Sequence, residues 1–361
     1  MEITNVTATT HEIPVDVPLR DEVRHRYVPF VVVETDEGIT GYGQTGDHWW
    51  RGVRELINED MGPTIEGMSA VNTERVHNTL QREYNPRAQT GAWSSAMSAI
   101  DLALWDAKGK YYDEPVWRLL GGARNPAEAY ITFGLKTFTK DQLVEVAKRY
   151  VDEGHDRLKM KVAVDNSPKK DAERVKAVRE AVGEDVRLMV DANYEYSFPK
   201  ALELCNRIEQ YNISWFEEPV YGNDVHLLSK LNQRTRIPIC AGQNEGDRFQ
   251  HRDMIESGAI DICQPNVFYV GGYTEAKKVA ALAESYNLEI ANGAGWPFQN
   301  MHLHAGVANG WLVEFHYVHW NVSKKMFKDT PEPENSTITI PDRPGIGLEP
   351  DWDVLDEFEI E

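Results

Sequence analysis

The stretch that best indicates the fold is 187–193, RLMVDAN, a short apolar run that ends in Asp191. Two later runs repeat this pattern: SWFEEPV carries Glu217, and PICAGQN carries Gln243. Asp191, Glu217 and Gln243 are thus spaced 26 positions apart, which is about the length of a strand, a helix and two short loops. Three successive βα units would therefore bring three oxygen-bearing side chains to the same rim of a parallel barrel.

The pattern extends over residues 126–330, where short apolar runs alternate with longer amphipathic segments such as KDQLVEVAKRYVDEG. The runs that we interpret as strands are AYITFG, RLKMKVAV, VRLMVDAN, ISWFEEPV, IPICAGQ, IDICQPN, LEIANGA and WLVEFHY. Eight strands with intervening helices predict an α/β fold, a modified (β/α)8 barrel.

Residues 1–125 have a different pattern. VPFVVVETDEGITGYGQTG predicts a β-hairpin that turns at Asp36-Glu37-Gly38, and SSAMSAIDLALWDAKGKYY predicts a helix. We expect an N-terminal α+β capping domain here. The tail, 331–361, is rich in Pro and Gly, and we expect it to complete the capping domain.

The charge balance restricts the partners of the chain. Its 361 residues include 58 acidic and 38 basic side chains, for a formal net charge of -20, which opposes binding to nucleic acid or to an anionic membrane. The three Cys are widely separated, and no signal-peptide pattern or apolar run of about 20 residues is present. These features predict a cytoplasmic protein that does not bind nucleic acid or membranes.

A pair of lysines supplies a candidate base at the predicted rim. In DRLKMKVAV, Lys159 and Lys161 are two residues apart on a strand, so their side chains leave the same face. A buried amine beside a second cation has its protonated form disfavoured, which makes a lysine usable as a base. The three oxygens at the rim suit a divalent cation such as Mg²⁺, with Asp191, Glu217 and Gln243 as ligands.

Over nearly its whole length the sequence resembles the enolase superfamily, in its mandelate racemase and muconate lactonizing enzyme branch. The resemblance rests on the K-x-K pair, D-x-N, EEP, GAIDICQPN and GGYTEA. It implies that Lys161 is a base that removes the proton α to a substrate carboxylate, and that Asp191 and Glu217 bind Mg²⁺. Because inward and outward positions alternate in EEP, only Glu217 of the two glutamates is expected to face the site.

The sequence departs from the family pattern at three positions. Gln243 stands where the third ligand is usually Glu, and Glu245 is the alternative ligand if its loop folds inward. Asn266 and Gly293 stand where a racemase of this branch carries an Asp–His dyad. A Lys, as in the muconate lactonizing branch, is also absent from the Asn266 position. A two-base racemase is therefore disfavoured.

The remaining site predictions concern the substrate. The resemblance implies that Glu314 hydrogen bonds the substrate carboxyl. Loops of the capping domain are expected to close over the barrel mouth and to select the substrate, and the general acid is Lys159, His302 or water. The predicted substrate-binding residues are Asn193, Asn266, Glu314, Trp296 and His25, with Arg26, His48, Trp49 and Trp50 as further candidates on the cap.

Together these observations predict a Mg²⁺-dependent lyase, an acid-sugar dehydratase that forms a 2-keto-3-deoxy acid. Elimination needs only one well-placed base if the hydroxyl leaves on the same face, so it tolerates the missing dyad. The alternatives are a cycloisomerase or epimerase of the same superfamily, or a relative that has lost turnover. A homo-oligomer is expected.

Overall fold

The computed structural model describes residues 1–84 and 90–360. The N-terminal part contains β1 (Ile3–Asp16), β2 (Val23–Thr35), β3 (Thr40–Gln44), α1 (Trp50–Glu55), a π-helix (Leu56–Met61), α2 (Gly62–Ile65), α3 (Thr73–Tyr84), α4 (Ala92–Tyr112) and α5 (Val116–Leu120). The predicted hairpin is confirmed, because β2 and β3 are antiparallel neighbours. The predicted helix is confirmed as α4.

The second part alternates strands and helices. Its elements are β4 (Ala127–Gly134), α6 (Lys140–Asp152), β5 (Arg157–Lys161), α7 (Pro168–Val182), β6 (Arg187–Asp191), α8 (Phe198–Ile208), β7 (Ile213–Glu217), α9 (Val225–Asn232), β8 (Ile239–Ala241), α10 (Arg248–Glu256), β9 (Ile262–Cys263), α11 (Gly272–Ser285), β10 (Glu289–Ile290), α12 (Pro297–Gly306), β11 (Leu312–His316) and α13 (Tyr317–Met326). All eight predicted strands are present.

The eight strands form a parallel barrel in the order β4, β5, β6, β7, β8, β9, β10, with β11 on the other side of β4. The circle closes between β10 and β11, where the Trp311 amide donates to the Ile290 carbonyl at 2.9 Å. The interior is filled by a cluster of large side chains that includes Tyr130, Met189 and Trp215. The fold is therefore the predicted modified (β/α)8 barrel.

The helices begin where the sequence supplies capping residues. The Thr139 hydroxyl accepts a hydrogen bond from the Gln142 backbone amide, and the Gln142 side chain accepts one from the Thr139 backbone amide, a capping box that starts α6. Ser167 starts α7, and Asp247 starts α10 by accepting from two backbone amides. These caps fix where each strand-to-helix loop ends, and so they hold the loops of the barrel mouth.

The N-terminal sheet packs on α4 at very short range. A Cβ on Gly41 would lie 2.0 Å from the Ala103 carbonyl oxygen, and one on Gly43 would lie 2.0 Å from the Ala99 carbonyl oxygen. Only glycine permits this approach. The sheet and α4 therefore pack as two layers, and α4 is buried along most of its length.

The tail contains β12 (Phe327–Lys328), β13 (Thr337–Ile338), β14 (Glu349–Pro350), α14 (Trp352–Phe358) and β15 (Glu359–Ile360). It contacts both parts of the molecule, since β15 pairs with β1 and β13 pairs with β4. The division into 1–125 with 331–361 and 126–330 stays a prediction.

The N-terminal part and the barrel are joined by hydrogen bonds from α4 to the start of α11. Ser98 accepts from the amides of Gly271 and Gly272 at 2.9 and 3.1 Å, and Asp101 accepts from the Thr274 amide at 2.9 Å. The Trp105 indole also donates to the Thr274 hydroxyl at 2.9 Å. These bonds satisfy the first amides of α11 and fix the cap on the barrel.

In the described ranges, none of the helices is both long enough and apolar enough to cross a membrane.

Candidate active site

A cavity of about 470 Å³ lies between the N-terminal part and the carboxyl-terminal ends of the barrel strands. Lys161, Asn193, Gln243 and Glu314 line it from the barrel. The cap side is lined by charged groups from β2 and the loop after β3. Most of the residues that line the cavity carry charged or polar side chains of both signs, which suits a polar molecule with several hydrogen-bonding groups.

Lys159 lies beneath the cavity and is fully buried. Its Nζ atom is 2.5 Å from Glu217 Oε1, 2.9 Å from Glu314 Oε1 and 3.7 Å from Asp191 Oδ2. Burial by itself would lower the pKa of Lys159, but these carboxylates outweigh it and raise the pKa. Lys159 is therefore a permanent cation that holds three carboxylates of the barrel interior together.

Lys161, two residues further along β5, reaches the cavity, where 15% of its side chain is exposed. Its Nζ atom hydrogen bonds Asp191 Oδ2. Burial would raise the pKa of Asp191, but Lys161 and Lys159 outweigh it and lower the pKa. Of the two lysines, Lys161 is the one placed to meet a bound molecule.

Glu217 and Glu218 point in opposite directions, as strand alternation predicts. Glu217 faces the interior and accepts from the Trp215 indole at 3.1 Å. Burial is the main reason that its pKa is raised to about 7; Lys159 opposes the shift and Asp191 adds to it. Glu218 accepts from the amides of Gly242 and Gln243 at 3.0 and 3.1 Å, so it anchors the backbone that carries the next predicted ligand.

Gln243 lies in the cavity wall, whereas Glu245 does not. Glu245 instead accepts a hydrogen bond from Asn223 at 3.0 Å, away from the cavity. A Cβ on Gly293 would lie 2.6 Å from Gln243 Oε1 and 2.9 Å from Gln264 Nε2. The glycine at the end of β10 therefore leaves the space that the Gln243 amide occupies.

The oxygens of Asp191, Glu217 and Gln243 fit Mg²⁺ in chemical type, because this cation binds carboxylate and carbonyl oxygens. Within 1–84 and 90–360 no group of three His, Cys, Asp or Glu side chains is arranged for a metal. Gln243 would add an uncharged amide oxygen to the two carboxylates. The raised pKa of Glu217 also indicates that the interior would be stabilised by further positive charge.

Two other predicted residues lie in the cavity wall. Glu314 accepts from the Gly295 amide at 2.6 Å and from the Thr132 hydroxyl, so its carboxylate is held firmly beside Lys159. Asn193 is exposed at the rim, and its backbone amide donates to Asp191 Oδ1 at 2.7 Å. This bond fixes the Asp191 carboxylate, while the Asn193 side chain remains available to a ligand.

His25 and Trp296, which we predicted to bind substrate, do not line the cavity, and their roles stay predictions. His25 lies on the outer face of β2, near Glu12 at 3.2 Å, because strand alternation sends its neighbours Arg24 and Arg26 into the cavity instead. Trp296 is fully buried behind the wall, where it packs against Phe268 and stacks on His319. It supports the wall but does not line it.

Asn266 and His302 are likewise used by the fold. Asn266 donates to the Gly293 carbonyl at 2.6 Å and accepts from the Phe268 amide at 2.9 Å. His302 accepts from the Trp117 amide at 3.2 Å and donates to the Ile346 carbonyl at 3.1 Å. Neither side chain lines the cavity. These positions therefore support neither substrate binding by Asn266 nor general acid chemistry by His302.

Among the cap candidates, Arg26 and His48 line the cavity, whereas Trp49 is exposed and Trp50 stacks on Tyr27. Sequence reasoning missed several further wall residues, among them Arg24, His316 and His319. The signal for His316 was present: it follows Glu314 by two positions on a strand, so both face inward. His319 lies on α13 and had no comparable signal.

Two family models match the chain. Residues 1–121 match the model for the mandelate racemase / muconate lactonizing enzyme N-terminal domain, and residues 142–354 match the enolase C-terminal domain-like model.

Characterised relatives match over most of their length. An arabinonate dehydratase of Saccharolobus solfataricus is 31% identical, over 91% of this chain and 89% of the relative. A D-galactarolactone cycloisomerase of Agrobacterium fabrum is 30% identical, over 100% and 99%. A D-xylonate dehydratase of Haloferax volcanii is 29% identical, over 92% and 86%.

Solved structures agree with the fold. The 3,6-anhydro-D-galactonate cycloisomerase of Zobellia galactanivorans has a TM-score of 0.89 at 31% identity, covering 100% of both chains. A mandelate racemase/muconate lactonizing enzyme from a marine actinobacterium, in complex with magnesium, also has a TM-score of 0.89 at 31% identity, covering 100% of this chain and 99% of the other.

Proposed function

The chain belongs to the mandelate racemase/muconate lactonizing enzyme family of the enolase superfamily, and from that premise we propose that it is an acid-sugar dehydratase. Mg²⁺ is the cofactor of this superfamily, and solved relatives contain it. The observation that carries the proposal is the position of Lys161, which reaches the cavity beside Asp191 while Lys159 stays buried.

In the proposed reaction the substrate carboxylate lies at the rim formed by Asp191, Glu217 and Gln243. Mg²⁺ held by these oxygens would supply positive charge to the carboxylate and so make the adjacent C–H bond more acidic. Lys161 removes the α-proton, and the hydroxyl on the next carbon leaves as water. Lys159 keeps Glu217 and Glu314 in place and adds fixed positive charge beneath the site.

The polar character of the cavity supports a polyhydroxylated acid. Arg24, Arg26, His48 and Asn193 line it together with the carboxylates, so a substrate with several hydroxyl groups finds donors and acceptors on all sides. The Saccharolobus and Haloferax relatives are dehydratases of acids of this type.

A cycloisomerase is the second candidate. Two relatives with this activity, at 27% and 30% identity, match nearly the whole chain. Both reactions begin with removal of an α-proton. They differ in the second step, since a dehydratase releases water whereas a cycloisomerase changes only connectivity.

A screen of acid sugars separates these candidates. The protein is incubated with Mg²⁺ and a panel that includes arabinonate, D-xylonate and D-galactarolactone, and the products are identified by mass spectrometry and NMR. We expect a 2-keto-3-deoxy acid, lighter than its substrate by one water. A product of unchanged mass would favour the cycloisomerase, and an absence of turnover on the whole panel would contradict both.

A further inference from the structure

His316 occupies the position two residues nearer the barrel mouth than Glu314. It is the last residue of β11, where it pairs with Thr132 of β4. Side chains alternate along a strand, so His316 faces inward as Glu314 does. It is 8% exposed and lines the same cavity as Lys161.

The fold leaves a ring nitrogen of His316 unused. In the part of the chain that the structure describes, no group hydrogen bonds the buried Nδ1 atom. His251 and His302 differ, because His251 contacts the carbonyls of Asp247 and Gly242, and His302 bonds the backbone at both nitrogens. Several other described histidines also have a ring nitrogen without a partner, but of these His316 and His319 are the two that line the cavity, and His316 is the one on a barrel strand. Because a buried polar atom without a partner is costly, a polar ligand in the cavity would stabilise this ring.

The ring is nevertheless held firmly. His316 packs against His319 with ring centroids 4.7 Å apart, and His319 stacks on the buried Trp296 at 4.7 Å. Arg26 approaches the far side of His319, with Nε 3.4 Å from Nε2. A side chain fixed by packing but not by its own hydrogen bonds is suited to meet a ligand in a defined geometry.

The strand order places His316 across the mouth from the predicted metal ligands. Asp191 ends β6, Glu217 ends β7 and Gln243 follows β8, whereas β11 lies four strands from β7 around the circle of eight. A substrate whose carboxylate lies at the ligands extends over the mouth towards β11. Lys161, on the intervening β5, then flanks the α-carbon, and His316 meets atoms further along the substrate.

We infer that His316 is a second catalytic residue, the general acid that protonates the hydroxyl leaving from the carbon next to the α-carbon. This inference rests on the proposed function. In the step, the Lys161 amine takes the α-proton and the C–H electron pair becomes the new C=C bond. The C–O bond breaks, and the departing oxygen takes a proton from the His316 imidazolium and leaves as water.

Burial and then the charges of Lys161, Lys159 and Arg26 keep the pKa of the free His316 ring well below its usual value. The ring is protonated from solvent in the substrate complex, where the negative charge that develops on the departing oxygen favours the imidazolium.

The test uses the acid sugar identified by the screen and its analogue with fluorine in place of the leaving hydroxyl. We expect His316→Asn and His316→Gln to slow water loss by about 10²–10⁴-fold. Both variants keep the solvent-deuterium exchange at the α-carbon that depends on Lys161. Both also release fluoride from the analogue at close to the wild-type rate, because fluoride leaves as an anion without a proton.

The control is His226→Asn, the same change at an exposed histidine on α9, which should leave all three rates unchanged. Equal slowing of water and fluoride loss in both His316 variants would overturn the inference, since a merely structural role affects both leaving groups. Unchanged water loss would overturn it as well. A wild-type protein that neither exchanges the α-proton nor forms product would contradict the proposed function itself, which is a different result.

Discussion

At the scale of single residues, Gln243 and Gly293 are neighbours at the site. The family pattern has a Glu at the Gln243 position and a His at the Gly293 position. A side chain at 293 would collide with the Gln243 amide, so the glycine leaves the space that this side chain occupies. The amide keeps an oxygen at the rim but removes one negative charge from a barrel interior that already contains three carboxylates beside Lys159.

This arrangement predicts how Mg²⁺ binding responds to substitution. Gln243→Ala should weaken Mg²⁺ binding about 10-fold or more in calorimetric titration, because it removes a ligand oxygen. Gly293→Ala should weaken binding too, since the new methyl group displaces the same amide. Glu245→Ala is the matched control and should bind normally. If Glu245→Ala lost affinity while Gln243→Ala kept it, the third ligand would be Glu245.

At the scale of elements, α4 and α11 join the cap to the barrel through the buried Asp101. Burial raises the pKa of Asp101 to about 7, although its hydrogen bonds with Thr274 oppose the shift. The folded protein therefore binds a proton that the unfolded chain, with an ordinary carboxyl pKa, has already released. Stability falls as the pH rises through that interval, from about 4 to about 7.

Asp101→Asn should remove this dependence. The free energies of unfolding of the variant and of wild type are measured with urea at pH 4.5 and pH 8. The difference between them should shift in favour of the variant at pH 8 by a few kcal/mol at most, because one pKa unit corresponds to about 1.4 kcal/mol. Glu66→Gln, an equal change of charge at an exposed position of the cap, should show no such trend. A difference between wild type and Asp101→Asn that is the same at both pH values would contradict the assignment.

At the scale of the whole molecule, periodicity predicted the architecture well. Eight apolar runs became eight barrel strands, and the Asp191 and Glu217 register follows from strand length and alternation. The positions that the sequence did not anticipate depend on contacts that cross between elements. Trp296 is covered by His319 from α13, and Asn266 is bonded to the loop after β10; neither contact has a signature in the local sequence.

The cap residues show the same limit. Sequence alone indicated that loops over the mouth select the substrate, but the choice between His25 and its neighbours depends on which face of β2 turns to the barrel. That face is set by the packing of the N-terminal sheet on α4, where Gly41 and Gly43 allow close contact. Arg24 and Arg26 therefore reach the cavity and His25 does not.

The central claim, that Lys161 removes the α-proton of an acid-sugar carboxylate, is tested most directly by solvent-deuterium exchange followed by NMR. With Mg²⁺ and the acid sugar that the wild-type protein converts, we predict exchange at the α-carbon. Lys161→Ala and Lys161→Arg should both lose exchange and product formation, because a guanidinium keeps the charge but cannot accept a proton. Exchange at the wild-type rate in Lys161→Arg, with the fold intact by circular dichroism, would contradict the account.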